Sequence, residues 1–372
     1  MREERKNERE KRWGKIREAM SKEGISGLLV YGNQMKTAPL QYVSEYTLLG
    51  RHAFFYLPLE GNPILFISEK WDRERAFLET EIGDIRLLGT NWTEELVASL
   101  PKERLNLGLV GIEFMGRSEA TCLLKALGEK VSFASSLLNV IARRKTPYEL
   151  NLIREAAAMA DAGFLRAMKV AKEGMSDYEL VAEIDFVMRR LGATDNFQML
   201  AIGRNITGML LPYGKKIEKG DLLLFEITPA NGSETYSAQL CKTAIFGEPP
   251  SSLLEDKYRL LREALETSLA LIKPQAKISE VARIQNEIIS KAGYGEYCRP
   301  PYMRARGHGF GLGRIEIDED SPLFFEEGMS LVVHPNQYLP ETGYLALGEH
   351  IIVTKEGIER LTKTVPQIYL CP

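Results

Sequence analysis

Two strand-like regions in the second half of the chain carry polar residues where apolar ones are expected. Segment 224–243 reads "LFEITPANGSETYSAQLCKT" and places Glu226 and Gln239 among apolar neighbours. The segments "SLVVHPNQYLP" and "GYLALGEHIIVT" place His334 and Glu349 in the same way. Carboxylate, amide and imidazole groups at such positions can bind a metal ion or move protons to and from a substrate.

A further candidate, His308, lies between these regions in "RGHGFGLGR". The surrounding glycines are typical of a segment that a ligand or another backbone approaches closely. A buried carboxylate is strongly destabilising unless it is paired or binds a metal. Five side chains are therefore predicted to converge on one site: Glu226, Gln239, His308, His334 and Glu349.

The chain has only four histidines, and three of them lie in or beside this constellation. His350 follows Glu349 directly, so the period-2 alternation of a strand turns it to the opposite face. We therefore expect His350 to be a packed or surface residue outside the site.

The elements that must position these residues begin at a helix signal in "ARRKTPYELNLIREAAAMADAGF". Thr146 can cap the helix, Pro147 suits its first position, and Glu149 completes a capping box. A basic stretch before a well-capped long helix predicts a domain junction. We therefore divide the chain into an N-terminal domain, residues 1–142, and a catalytic domain, residues 143–372.

The N-terminal domain alternates helical and strand patterns. "KIREAMSKEGISGLLVYG" predicts an amphipathic helix followed by a buried strand, and "HAFFYLPLEGNPILFIS" predicts a hairpin around "EGNP". "NLGLVGIE" predicts another buried strand. This order is typical of an α/β domain with a central sheet.

The second domain contains a weak internal repeat. "MSDYELVAEIDFVMRRLG" and "ISEVARIQNEIISKAG" each predict a helix that starts at a serine, Ser176 or Ser279, and ends at a glycine. Each is followed by a two-stranded hairpin, the first over residues 222–247. The distance in sequence between the two equivalent serines is too long for the repeat of a solenoid. It predicts a duplicated α+β half-domain whose hairpins face each other.

Composition excludes several classes of protein. The 372 residues are 44% hydrophobic and 27% charged with a net charge of −3, so no global field favours nucleic acid or membrane. The four cysteines have no CxxC spacing, which is typical of reduced thiols in the cytoplasm. The charged "MREERKNEREKRW" lacks the apolar core of a signal peptide. Its mixed signs predict a solvated first helix rather than a nucleic-acid arm.

On these segments the chain resembles the creatinase/aminopeptidase P/prolidase family, the "pita-bread" hydrolases. The linker helix "RRKTPYELNLIREAA" is followed in the family's order by "KGDLLLFEITP", "GHGFGL", "EEGMSLVVHPNQY" and "GEHIIVTKEG". The resemblance covers essentially the whole chain. It implies an α/β N-terminal domain, a pseudo-twofold α+β pita-bread C-terminal domain, and a homodimer with the partner's N-domain near the active site.

Metal-dependent members of this family use Asp, Asp, His, Glu and Glu to hold two divalent ions and a bridging water. The resemblance lays these positions on Glu226, Gln239, His308, His334 and Glu349, of which only His308 and Glu349 keep the family's residue type. The Gln239 assignment requires an insertion in the preceding turn.

Charge counting weighs against a pair of ions, because only two of the four family carboxylates remain. Glu226, His308, His334 and Glu349 could hold one Zn, Mn or Fe ion. The same residues could equally form a metal-free polar pocket, so both cofactor states stay open.

Substrate-binding positions also depart from the family. The position of a substrate-handling histidine falls on Met209, and a second histidine expected after "GHGFGL" is absent from "GRIEIDED". Creatinase, the metal-free member, binds its substrate carboxylate through arginines, which the resemblance lays on Arg51 and Arg314. One of its guanidinium-binding acids falls on Cys241, so creatine is not the expected substrate.

The resulting hypothesis is a cytoplasmic hydrolase that cleaves a C–N bond in a small, carboxylate-bearing or dipeptide-like substrate. His308 or His334 would activate water, and Glu226 and Glu349 would orient the water or bind a cationic part of the substrate. Gln239 would bind a carbonyl or amide of the substrate. The first alternative is a peptidase or amidase that uses one metal ion. The second is a pita-bread domain that has lost catalysis and binds peptides or proteins.

Overall fold

A mixed six-stranded sheet forms the centre of the N-terminal unit, in the order β4-β3-β2-β1-β5-β6. The structure is a computed structural model that describes residues 2–101 and 106–372. Its strands are β1 (Gly27–Asn33), β2 (His52–Pro58), β3 (Ile64–Ile67), β4 (Asp84–Leu87), β5 (Leu107–Val110) and β6 (Val131–Phe133). Its helices are α1 (Arg2–Lys22), α2 (Ala38–Ser44), α3 (Arg73–Thr80), α4 (Trp92–Ser99), α5 (Arg117–Leu127) and α6 (Ser135–Arg143).

The strand patterns of this unit are confirmed. β2 and β3 pair antiparallel around the turn "EGNP", and β1 and β5 are buried along their length apart from Asn33. The first helix is more than a solvated arm, because Arg9 and Arg12 are buried and lie close to the carboxylate of Glu45.

The chain divides into two compact units, Met1–Ala142 and Arg143–Pro372. The helices of the second unit are α7 (Pro147–Val170), α8 (Asp177–Arg190), α9 (Ser252–Leu269) and α10 (Ile278–Ile289). Its strands are β7 (Asp195–Gly203), β8 (Leu222–Ala230), β9 (Leu240–Phe246), β10 (Gly307–His308), β11 (Ser330–Val333), β12 (Gln337–Leu339), β13 (Gly343–Leu345), β14 (Glu349–Val353), β15 (Ile358–Arg360) and β16 (Tyr369–Cys371).

The second unit repeats one pattern twice: two helices followed by a four-stranded sheet. Helices α7 and α8 precede strands β7, β8 and β9 of the sheet β16-β9-β8-β7, which we call the first sheet and whose edge strand β16 follows the second half in the chain. Helices α9 and α10 precede the sheet β10-β11-β14-β15, which we call the second sheet. This arrangement matches the duplicated half-domain that the sequence indicates. Each half buries apolar residues between its helices and its sheet.

Three of the four helix starts in the second unit follow local sequence, including α9, where the hydroxyl of Ser251 accepts from the amide of Leu254, and α10 differs. Thr146 and Ser176 each close a capping box with a glutamate three residues later. Ser279 does not cap α10, which begins at Ile278 without a side-chain cap. There the amide of Ile278 donates to the carbonyl oxygen of Leu323 instead, at 3.0 Å, so a capping side chain is not needed.

The two sheets of the second unit meet at one short junction. The amide of Gly348, just before β14, donates to the carbonyl oxygen of Cys241 on β9 at 3.1 Å. This junction sets which side chains of the two sheets face each other. Among residues 2–101 and 106–372, no helix has both the length and the apolar composition needed to cross a bilayer.

Candidate active site

A cavity of about 320 Å³ opens at the face of the first sheet. Met199 on β7, Glu226 on β8 and Cys241 on β9 stand opposite one another in the strand register. Directly opposed residues in an antiparallel sheet share a face, so Glu226 points toward the same side as its two neighbours. The cavity is lined by Asp195, Asn196, Phe197, Met199, Glu226, Thr228, Ala230, Glu234, Ser237, Gln239, His308, Phe310 and Arg314.

Glu226 is the carboxylic acid of this cavity that burial affects most, with 6% of its surface exposed. The side-chain amide of Asn336 donates to its Oε1 at 2.7 Å. Desolvation dominates over this hydrogen bond and raises the pKa of Glu226 to about 7. Its protonated and ionised forms are therefore both populated near neutral pH, which suits a group that gives and takes protons.

His308 faces the cavity from β10. Its Nδ1 lies 3.0 Å from the carbonyl oxygen of Gly309. A carbonyl can only accept, so Nδ1 carries the proton and Nε2 is left with its lone pair. Burial lowers the pKa of His308, which keeps the imidazole neutral at pH 7. A neutral ring with a free acceptor nitrogen can take a proton from water.

His334 lies beside His308, with ring centroids 5.5 Å apart. Burial, with a smaller contribution from the neighbouring His308, lowers the pKa of His334 to about 3. Its Nδ1 is buried and has no hydrogen-bond partner within the described part of the chain. Such a weakly basic ring is a poorer general base than His308.

Gln239 and Cys241 stand side by side on the first sheet. The Nε2 of Gln239 donates to the hydroxyl of Thr228 at 3.1 Å, and its Oε1 lies 3.6 Å from the thiol of Cys241. One N–H of the Gln239 amide is therefore left for another acceptor. Burial raises the pKa of the Cys241 thiol well above its usual value, so Cys241 is a neutral wall residue rather than a thiolate nucleophile.

The prediction that Glu349 joins this site needs correction. In the strand register, Val332 stands opposite both His308 and His350, so these three residues share one face of the second sheet. Glu349 stands opposite the next residue, Val333. Glu349 therefore points to the other face of the second sheet. There its Oε1 lies 2.9 Å from the Nζ of the fully buried Lys242, and Thr362 donates to its Oε2 at 2.7 Å.

Gly348, not Glu349, occupies the position that faces the cavity residues. A Cβ at this glycine would lie 2.9 Å from the Cβ of His334 and 3.1 Å from the sulfur of Cys241. Those two side chains fill the space beside it. His350 lies on the face opposite Glu349 and is packed, as expected. That face is the one that carries His308, so the expectation that it points away from the site is corrected.

The remaining candidates are placed in different surroundings. Arg314 lines the cavity with about half of its side chain exposed, 3.6 Å from Glu316. Met209 is half-buried and packs against the core of the second unit. Arg51 belongs to the N-terminal unit, where its exposed guanidinium lies 3.6 Å from Glu119.

Sequence reasoning missed the residues that support the candidates. Asn336 lies two residues after His334, and Lys242 follows Cys241 on β9. Both stand in the segments that carry the polar candidates, and both are fully buried. A buried amide or ammonium beside a predicted site residue was the available signal, because such groups require a partner.

Metal binding depends on how donor side chains are arranged within the described residues, 2–101 and 106–372. In that part of the chain, no group of three or more His, Cys, Asp and Glu side chains is arranged to hold a metal ion. Four free cysteines are described, of which only Cys122 is exposed.

Comparison with known proteins identifies the family of the chain. The model of metallopeptidase family M24 matches residues 151–356. The chain belongs to this family. It is 29% identical over 229 residues to the Xaa-Pro dipeptidase of Pyrococcus furiosus, an alignment that covers 59% of this chain and 63% of that protein. It is 25% identical over 368 residues to the uncharacterized peptidase YqhT of Bacillus subtilis, covering 96% and 99%.

Solved M24-like structures share the fold over nearly the whole chain. A structure of the Xaa-Pro dipeptidase from Bacillus anthracis superposes with a TM-score of 0.83 at 25% identity, covering 97% of this chain and 99% of that chain. A structure of the X-Pro aminopeptidase from Thermotoga maritima gives a TM-score of 0.85 at 21% identity, covering 96% and 99%. The pita-bread architecture expected for the second unit is therefore confirmed.

The buried ion pair between Lys242 and Glu349 predicts that both residues contribute to the stability of the fold. A measurement of stability can therefore show that Glu349 has a structural role. Lys242→Met would leave a buried carboxylate without its cation and should lower the free energy of unfolding by about 3–5 kcal/mol. The double variant Lys242→Met/Glu349→Leu should recover most of that loss. Urea unfolding of the wild type, both single variants and the double variant measures this. A double variant as unstable as the summed single variants would contradict the pairing.

Glu226 predicts a dependence of stability on pH. Folding raises its pKa from 4.5 to about 7, so the folded state binds more protons between these values. The stability that the protonated group contributes is complete below the lower value and is lost as pH rises through about 7. Between roughly pH 4 and roughly pH 8, wild type should lose about 3 kcal/mol relative to Glu226→Gln. A constant difference between the two proteins across that range would show an unshifted carboxyl group.

Proposed function

We propose that the second unit is a hydrolase that cleaves the C–N bond of an amide in a small, carboxylate-bearing, dipeptide-like substrate, without a two-metal centre. The observation that carries the proposal is one cavity that joins a carboxyl group with a pKa of about 7, Glu226, to a neutral imidazole with a free acceptor nitrogen, His308. Family membership and relatives named Xaa-Pro dipeptidases support an amide bond as the target. The chain spans 63% of the length of the first of these relatives.

The donor set does not fit two divalent cations. Of the two glutamates at the family's ligand positions, Glu226 lines the cavity while Glu349 is paired with Lys242 on the other face. Gln239 is neutral, and the neutral imidazole of His334 cannot balance charge as a carboxylate does. Two divalent ions would leave most of their charge uncompensated among these groups. A single ion is also poorly served, because Glu226, His308 and His334 do not form a binding group.

Proton transfer can proceed through the residues of the chain. The Nε2 of His308 takes a proton from water as the water oxygen attacks the substrate carbonyl carbon. The free N–H of Gln239 can donate to the oxygen that becomes negative in that step. Protonated Glu226 then gives its proton to the leaving nitrogen as the C–N bond breaks. The imidazolium of His308 returns its proton to Glu226, directly or through solvent, which restores both groups.

Arginines are proposed to bind the substrate carboxylate. Arg314 lines the cavity and can bind a carboxylate with both nitrogens of its fork. We further propose a homodimer in which Arg51 from the neighbouring subunit binds the same group, as the family resemblance implies. Light scattering tests the dimer, and substrate affinity of Arg51→Ala and Arg314→Ala tests each arginine separately.

His308→Ala should reduce kcat by at least about 100-fold, because it removes the group that activates water. The assay uses Xaa-Pro dipeptides, other dipeptides, guanidino acids and cyclic amides. His52→Ala is the matched control, since His52 is a buried histidine of the N-terminal unit, and it should keep its activity if it folds. Circular dichroism checks the fold of both variants. Full activity of His308→Ala would refute the assignment, and binding without turnover of any substrate by wild type would favour a non-catalytic binding protein.

Removal of divalent ions should leave activity unchanged. Protein dialysed against a strong chelator is expected to retain its kcat, and added Mn²⁺, Zn²⁺ or Co²⁺ should not raise it. Elemental analysis of the same samples shows how much metal each contains. Loss of activity on chelation, with recovery at one or two equivalents of ion, would contradict the metal-free site.

A further inference from the structure

His350 links the two sheets of the second unit behind two residues that line the cavity, Gln239 and Phe310. It is fully buried on β14. The backbone amide of Gln239 donates to its Nδ1 at 3.1 Å, and its Nε2 lies 2.8 Å from the hydroxyl oxygen of Ser330 on β11. One imidazole therefore joins the start of β9 in the first sheet to two strands of the second sheet.

These two contacts fix the protonation of the ring. A backbone N–H can only donate, so Nδ1 of His350 must be the acceptor and carry no proton. The proton of the neutral ring then resides on Nε2 and is donated to Ser330. The opposite tautomer would direct an N–H at the amide of Gln239 and break the link between the sheets.

The ring also supports the wall that carries His308. His350 stacks on Phe310 with centroids 5.8 Å apart and planes inclined by 20°. Phe310 in turn packs edge-on against His308 at 4.9 Å. The position of His350 is therefore connected to both Gln239 and His308, the two groups that would contact the substrate carbonyl and the attacking water.

We propose that His350 is a positioning residue, which in its Nε2-protonated form holds Gln239 and the Phe310–His308 wall in the geometry for hydrolysis. The effect of His350 on catalysis rests on the proposed function. The tautomer of His350 and its hydrogen bond from Gln239 do not, because they exist whether or not the protein turns over a substrate.

Ring nitrogens of the four histidines can be observed directly by long-range ¹H–¹⁵N spectroscopy of histidine-labelled full-length protein. His350→Phe assigns the resonances of His350 and retains a ring against Phe310. The wild type is expected to show His350 as the Nε2–H tautomer. In Ser330→Ala the acceptor for that proton is removed while the amide of Gln239 still requires Nδ1 as its acceptor, so His350 should keep the Nε2–H form with a shifted Nε2 resonance, and the less firmly held ring should let the amide of Gln239 exchange faster with solvent. A wild-type Nδ1–H tautomer would overturn the proposal.

Turnover separates positioning from simple support of the fold. Ser330→Ala should lower kcat by about 10- to 100-fold with little change in KM, because Gln239 and His308 act in the transition state. Ser268→Ala is the control: Ser268 is a buried serine of the same unit that accepts from Gln285 and donates to Leu265. It should lose comparable stability and keep its kcat. Equal kcat values for Ser330→Ala and wild type, with faster exchange of the Gln239 amide in the variant, would overturn the positioning role.

The two proposals fail separately. If the wild-type protein turns over no substrate, the hydrolase proposal fails while the tautomer and the exchange rate of the Gln239 amide still decide the link. If His350→Phe does not fold, the spectra and kcat are both measured on Ser330→Ala. Selective labelling of Gln239 then identifies the amide signal that reports the link to His350.

Discussion

The site depends on one constraint: two sheets meet at a backbone contact between Cys241 and Gly348, and strand alternation then decides which side chains share the cavity. Around this contact, Glu226 and Cys241 of the first sheet face the side that carries Gly348, His308 and His350 of the second. Lys242 and Glu349 follow by one residue and turn to the other face, where they pair with each other. The polar residues of both hairpins are thereby sorted into a cavity set and a structural set.

This sorting determines the chemistry that is available. The cavity set contains one strongly buried carboxyl group, Glu226, and three imidazoles whose pKa burial lowers, those of His308, His334 and His350. Cys241 and His334 fill the space beside Gly348. Such a set has little negative charge for cations, but its carboxyl group and His308 have complementary protonation at neutral pH. The structural set is a buried ion pair, Lys242 and Glu349, in which each charge is balanced by the other. It therefore adds no net charge beside the cavity.

Much of this organisation could be predicted from sequence, and the remainder fails for identifiable reasons. The capping box at Thr146, the hairpins and the repeat of helices and sheets follow from local patterns. Glu226, Gln239 and His308 were predicted for the site and line one cavity. Glu349 was assigned to the wrong face, and His350 to the face away from the site although it is packed as expected, because a shift of one residue inverts every side chain of a strand. Only the strand register, which depends on the pairing of β11 with β14, resolves that choice. The role of Asn336 depends on a contact across 110 residues, which no local pattern encodes.

The most direct test of the proposal that the cavity lacks a two-metal centre is anomalous scattering from crystals grown in millimolar Mn²⁺. The account predicts no anomalous peak among Glu226, Gln239, His308 and His334, with Asn336 still bonded to Glu226. Two well-occupied manganese peaks bridged by Glu226 would contradict it, and the cavity would then have to be treated as an ordinary dinuclear centre with altered ligands.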